Sequence, residues 1–364
     1  MGGGIQEKQM GNRQKSVGAK GCYLKKLTAI TLPLLIGGLL FCQDYRNPPK
    51  MQVSIQPGLG YQAGSIGEHL FNMGGIGKPV AFAPDGGRQI SFLQWDIHGM
   101  MVARLDVDFR YRSFYIKLHG EAGLPLSSGK MDDFDWNTTK DHQTHFSTHH
   151  NRVSDHFSAG GLLGWILSST DGRLQCTPMA GWSWQQTSMT ASDGYYQYVP
   201  SKLQETRPWT DNLPKEYLNG DVINYRHEVF QIDLLLRLTY HHNPRLSLSL
   251  EGSIHPVIGV FGYDTHLLRD LQFLDYNMTG QLAFGTALML GYQIIPQHWL
   301  TLKVDYNYLP VVTGPAYSKS TSQRYYYPSA TSKGGASHWF VGVSLGWKFN
   351  LFQRQERISP ILNR

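Results

Sequence analysis

The sequence predicts an all-β chain, a ten-stranded antiparallel transmembrane β-barrel with long extracellular loops. Three observations predict it. Apolar and polar side chains alternate strictly in many short runs, tight turns alternate with long polar connections, and an apolar leader stands in front.

The leader comes first along the chain. Lys25 and Lys26 precede the run LTAITLPLLIGGLLF, which no acid interrupts. At about 15 residues it is short for a spanning helix, which needs about 20, and it reads as an export signal. Residues 1–42 are assigned to this leader, 43–349 to the barrel and 350–364 to a C-terminal tail. The leader holds Lys8, Arg13, Lys15, Lys20, Lys25 and Lys26 against Glu7 alone, so it carries five of the six net positive charges. The remainder is near +1, and no nucleic-acid partner is expected. Cys22 and Cys42 belong to the leader; Cys176 is then the one cysteine of the barrel, which excludes an internal disulfide. With 41% hydrophobic, 12% aromatic and 16% charged residues, the chain is too apolar for disorder and too poor in charge for an ordinary cytosolic protein.

The strands follow from period two. FYIKLHGEA sets Phe114, Ile116, Leu118 and Ala122 against Tyr115, Lys117, His119 and Glu121. LDVDFR, LSLSLEG and LTLKVDYNY repeat the pattern from Leu105, Leu246 and Leu300. Strands are expected at 51–66, 89–110, 114–125, 155–169, 173–190, 223–241, 245–262, 276–295, 299–313 and 337–349. Four short turns (YRS, STDG, HHNP, PQH) alternate with long loops at 67–88, 126–154, 191–222, 263–275 and 314–336. A soluble sandwich would alternate too. Opposite charges on the polar faces of neighbouring strands favour a hydrated lumen, and aromatics near strand ends (Trp95, Trp165, Trp182, Trp299, Trp339, Trp347, Phe349) favour interfacial girdles.

Two motifs on the outward loops carry candidate chemistry: KMDDFDW (Lys130 to Trp136) and YDTH (Tyr263 to His266). Each alone would be ordinary, a solvated loop or a weak cation site. Together with GGRQISFLQWD (Gly86 to Asp96), GWIL (Gly164 to Leu167) and MAGW (Met179 to Trp182), they occur in an order that resembles the omptin family of outer-membrane proteases.

That resemblance implies a surface endopeptidase that cuts beside basic residues, with its groove at the extracellular rim of the cell outer membrane. It implies catalytic roles for Asp133, Asp135, Asp264 and His266, and a substrate-binding role for Glu68. Asp132 is read as a solvated neighbour. Gly262 stands where the family has a second pocket aspartate, which implies weaker discrimination for basic residues. Trp184, Gln186 and Glu228 stand where a lipopolysaccharide clamp is expected, so the family's lipid requirement is not carried over. No metal or other cofactor is implied, and the histidines of DHQTHFSTHH read as solvated loop residues. The expected partners are peptides or proteins with basic residues and outer-membrane lipids, the chain itself being a monomer. The competing reading is a non-catalytic barrel acting as an adhesin.

Overall fold

The computed structural model describes residues 51–276 and 281–354; the leader and the end of the tail lie outside them. The strands are β1 Met51–Asn72, β2 Arg88–Tyr111, β3 Phe114–Gly123, β4 Leu126–Asp135, β5 His145–Trp165, β6 Leu167–Ser168 and β7 Leu174–Tyr198. They continue as β8 Glu216–Tyr217, β9 Asp221–Asn243, β10 Leu246–His266, β11 Leu271–Tyr276, β12 Leu282–Ile295, β13 His298–Ser320 and β14 Tyr327–Arg354. All pairings are antiparallel, and β14 returns to pair with β1, which closes the sheet.

The count differs from the ten strands expected: fourteen are distinguished among the described residues. They nevertheless make ten staves. β3 and β4 both run between β2 and β5, β6 prolongs β5 along β7, β11 and β12 share the place between β10 and β13, and β8 is a short addition to β7. β14 also runs beyond Phe349, where the tail was expected to begin: Asn350 pairs with Ser54 and Arg354 with Met51.

The larger correction concerns the outward loops. KMDDFDW lies mostly on β4, YDTH at the end of β10, and the hairpin β10–β11 turns through residues 267–270. Above the lipid, water replaces hydrocarbon outside the sheet, so the outer face no longer needs to be apolar. The hydrophobic alternation fades there while the hydrogen-bond ladder continues.

The lipid-facing band shows on the surface as exposed Leu59, Leu118, Leu163, Leu250, Leu288, Val304 and Leu345. Trp165, Trp347 and Trp339 are part-exposed near its margins, as girdle residues would be. Trp95 is not one of them. It is fully buried and points inward.

Inside the band the lumen is charged and internally paired. Arg104 bonds Glu121 and, at 2.8 Å, Asp305; Arg237 meets Glu251 at 2.6 Å and Lys348 meets Asp108 at 2.6 Å. Arg104, Glu121, Asp305, Arg237 and Glu251 line a cavity of about 240 Å³, and Asp108 and Lys348 line a second of about 140 Å³. Above it the interior changes character. Ile66, Leu93, Trp95, Ile97, Met131, Ile223 and Tyr225 belong to one apolar cluster that fills the barrel. Trp95 and Tyr225, from the non-adjacent β2 and β9, stack across the interior with centroids 5.5 Å apart. The plug forms the floor of whatever lies at the rim.

The lipid boundary gives a test. Leu250→Arg, in the band, should lower the stability of the vesicle-inserted barrel by about 2–4 kcal/mol in denaturant titration. Tyr217→Arg, on the exposed β8, should change it by less than about 0.5 kcal/mol. Equal effects would misplace the band.

Candidate active site

On a strand, residues two apart share a face and their Cα atoms lie about 6.6 Å apart. Asp133 and Asp135 therefore project together from β4 into the barrel mouth. In register, Leu93 stands opposite Asp133 and Ser91 opposite Asp135 on β2. The Ser91 hydroxyl donates to Asp133 Oδ1 at 3.3 Å. Burial, reinforced by the charge of Asp135, holds the Asp133 carboxyl well above the usual range. Burial also raises Asp135 to about 6, against the opposing pull of the Ser91 hydrogen bond, Arg269 and His266. Two carboxyls so placed retain a proton between them near neutral pH.

Asp132 faces the other way and corrects an expectation. It is buried rather than solvated, paired with Lys130 at 2.5 Å and accepting from the Thr148 hydroxyl at 2.6 Å.

Across the mouth, β10 presents Asp264 and His266 on one face by the same spacing. His266 Nε2 lies 2.7 Å from Asp264 Oδ2. With Nε2 holding the proton toward Asp264, Nδ1 keeps the lone pair. Phe273 stands edge-on to the imidazole at 5.4 Å. The other Asp264 oxygen, Oδ1, is buried without a hydrogen-bond partner. The two hairpins lie within electrostatic reach, since Asp264 pushes the Asp133 carboxyl up and His266 pulls Asp135 down.

Glu68 enters from β1. Its carboxyl is raised well above the ordinary value by burial first, then by Asp264, Asp275 and Asp133. All five residues singled out in the sequence thus converge on one groove. Three more join them. Arg269, in the turn after His266, donates to the Tyr198 hydroxyl at 3.3 Å and favours ionisation of both Asp133 and Asp135. Asp275, on β11, is 4% exposed and is pushed up by burial and by Asp264. Tyr225 lies beneath, its hydroxyl held protonated by burial and by Glu68, Asp275 and Asp264. No motif marks them. Counting back across the β10–β11 hairpin would place Asp275 opposite Gly262, but only once the turn at 267–270 is known.

A family model of the omptin family matches residues 53–351. The chain belongs to the omptin family. It is 26% identical over 230 residues to the plasminogen activator of Yersinia pestis, covering 62% of this chain and 69% of that protein. It is 26% identical over 294 residues to the outer membrane protease IcsP of Shigella flexneri, covering 77% and 88%. The fold matches that of the outer membrane protease OmpT of Escherichia coli with a TM-score of 0.72 at 17% identity, over 85% of this chain and 99% of that one. This omptin is a β-barrel of the outer membrane, in a family of proteases.

At the three positions read for a lipid clamp, Gln186 donates to Asp155 at 2.9 Å and Glu228 is paired with Arg226 at 2.8 Å, beside Trp184. Neither polar side chain is a cation awaiting a phosphate.

The acid pair makes stability pH-dependent in a defined sense. Because the folded-state value of Asp135 lies above its ordinary 3.8, its contribution is fully present below about pH 4 and is lost as pH rises through about 6. Asp135→Asn cannot titrate. It should match the wild type at pH 4 and exceed it by about 1–3 kcal/mol at pH 8 in urea titrations of the detergent-held protein. A gap that does not grow with pH would contradict this.

Proposed function

We propose that this omptin is a surface endopeptidase that hydrolyses peptide bonds beside basic residues. A water held between the two hairpins would be the nucleophile. His266 Nδ1 takes its proton as the oxygen attacks the scissile carbonyl carbon. Asp264 fixes the imidazole tautomer and stabilises the imidazolium that forms. The Asp133–Asp135 pair, sharing a proton, orients the water through the ionised group and offers the shared hydrogen to the developing oxyanion. Collapse of the tetrahedral intermediate breaks the C–N bond, and the proton on His266 passes to the departing amine. No acyl-enzyme forms, and the scheme uses no metal or organic cofactor.

One observation carries the reading most directly: a carboxylate-steadied histidine acts electrostatically on one member of a raised-pKa aspartate pair from an opposing strand hairpin. Such opposed environments are what hydrolytic chemistry at neutral pH needs. Cation preference follows from charge. Glu68, Asp133, Asp135, Asp264 and Asp275 face one groove, which draws a basic peptide in and disfavours an acidic one. We further propose that the protein acts as a monomer on peptides or proteins presented at the cell surface.

With an Arg-Arg peptide, Asp133→Ala and His266→Ala should each lower kcat/KM by at least about 10³-fold. Gel mobility of the unheated protein should show both variants still folded. Equal, slow turnover by all three proteins would leave the adhesin reading in front. Glu68→Gln should narrow the preference for Arg over Ala at the cleavage position, and an unchanged ratio would remove Glu68 from the pocket.

A further inference from the structure

We propose that Asp275 supplies the carboxylate absent at Gly262, so that Asp275 and Glu68 together form a cation-binding pocket for an arginine or lysine side chain of the substrate. The inference rests on the protease reading for what the pocket serves, and the contacts behind it are those of Glu68, Gly262, Asp275 and Gly334.

Gly262 and Asp275 are directly opposed across the β10–β11 ladder. A Cβ placed on Gly262 would lie 3.6 Å from Asp275 Cβ and 3.0 Å from the Tyr225 hydroxyl oxygen. The space a side chain at 262 would occupy is therefore bordered by the Asp275 side chain. The carboxyl group then extends over β13 to β14. A Cβ on Gly334 would come within 2.1 Å of Asp275 Cγ, so the carboxyl lies directly on bare backbone there. Gly334 is two residues from Ala336, the cross-strand partner of Glu68. The absence of a side chain at Gly334 is what lets Asp275 reach toward Glu68.

Both carboxyls are buried, at 7% and 4% exposure, and among the described residues neither is in a salt bridge. Glu68 Oε2 and the Tyr225 hydroxyl, on side chains 93% and 99% buried, have no hydrogen-bond partner. Buried acceptors without donors are destabilising unless something supplies the hydrogens. A guanidinium brings five N–H donors and a positive charge, an ammonium three. Either would satisfy at one stroke the carboxylates and the orphaned oxygens. Gly262 would then not weaken basic-residue discrimination, because the charge has moved to the neighbouring strand.

The test uses the purified barrel in detergent and two peptides that differ only in arginine or neutral, isosteric citrulline at the residue before the cut. Asp275→Asn should lower the arginine-to-citrulline ratio of kcat/KM by roughly 10- to 100-fold. Asp275→Ser serves as a second variant should the amide crowd Gly334, with folding checked by gel mobility. In parallel, binding of the same peptides with a reduced, uncleavable bond is followed by tryptophan fluorescence. That arm reads the pocket whether or not peptide is cut. Loss of the arginine preference in binding with no turnover by the wild type would uphold the pocket and sink the protease reading. Wild-type preference for arginine retained within two-fold by both Asp275 variants would overturn the inference and leave the protease reading intact.

Discussion

Everything in this molecule follows from the pairing of β14 with β1. In hydrocarbon an unpaired backbone amide or carbonyl has no water to turn to, so a membrane sheet must close. Closure fixes the alternation: one face of each stave meets lipid and the other meets its own lumen. Leu250 faces out for the same reason that Glu251 faces in, where Arg237 holds it. The site inherits this geometry. Asp133 with Asp135, and Asp264 with His266, share faces because each pair spans one pleat. The two hairpins confront each other because β4 and β10 lie on opposite arcs of a closed ring of staves.

The rim concentrates like charges that a stability-driven design would separate. Burial raises Glu68, Asp133, Asp135 and Asp275, neighbouring carboxylates add to it for Glu68, Asp133 and Asp275, and Ser91, Trp95, Arg269 and His266 oppose it. Such a groove is less stable than an apolar one would be, which is the arrangement the proposed chemistry calls for. Among its buried oxygens, Glu68 Oε2, Asp264 Oδ1 and the Tyr225 hydroxyl have no hydrogen-bond partner. The charged lumen below differs. There each cation named has an acid beside it, and Arg104 alone joins Glu121 and Asp305. Similar residue types hold the barrel together at one depth and leave it unsatisfied at another.

Much of the fold was legible because lipid writes a strong pattern. Within the band, apolar residues fall on every second position, and the expected strand cores agree with the staves there. The pattern stops at the lipid surface, which is why the outward hairpins read as loops and why Asp132 read as solvated. Trp95 misled for a related reason: a tryptophan near a strand end is ambiguous between girdle and plug until the facing side is known. The five candidate residues came from the family resemblance, four of them on its ordered motifs and Glu68 as its pocket glutamate, rather than from any local rule. Asp275 and Arg269 were missed because their roles depend on register across a hairpin whose turn the sequence did not reveal. Asp275 in particular is opposite Gly262 only in three dimensions.

The stack of Trp95 on Tyr225, with the apolar cluster around it, has a consequence for the envelope as a whole. A ten-stave cylinder open from end to end would be a leak, and its charged interior would conduct. The apolar cluster above the charged cavity opposes the passage of ions and water along that interior. Fragments released at the proposed site would diffuse back into the medium rather than drain inward. An interior so filled lets a barrel stand in the outer membrane without serving as a pore.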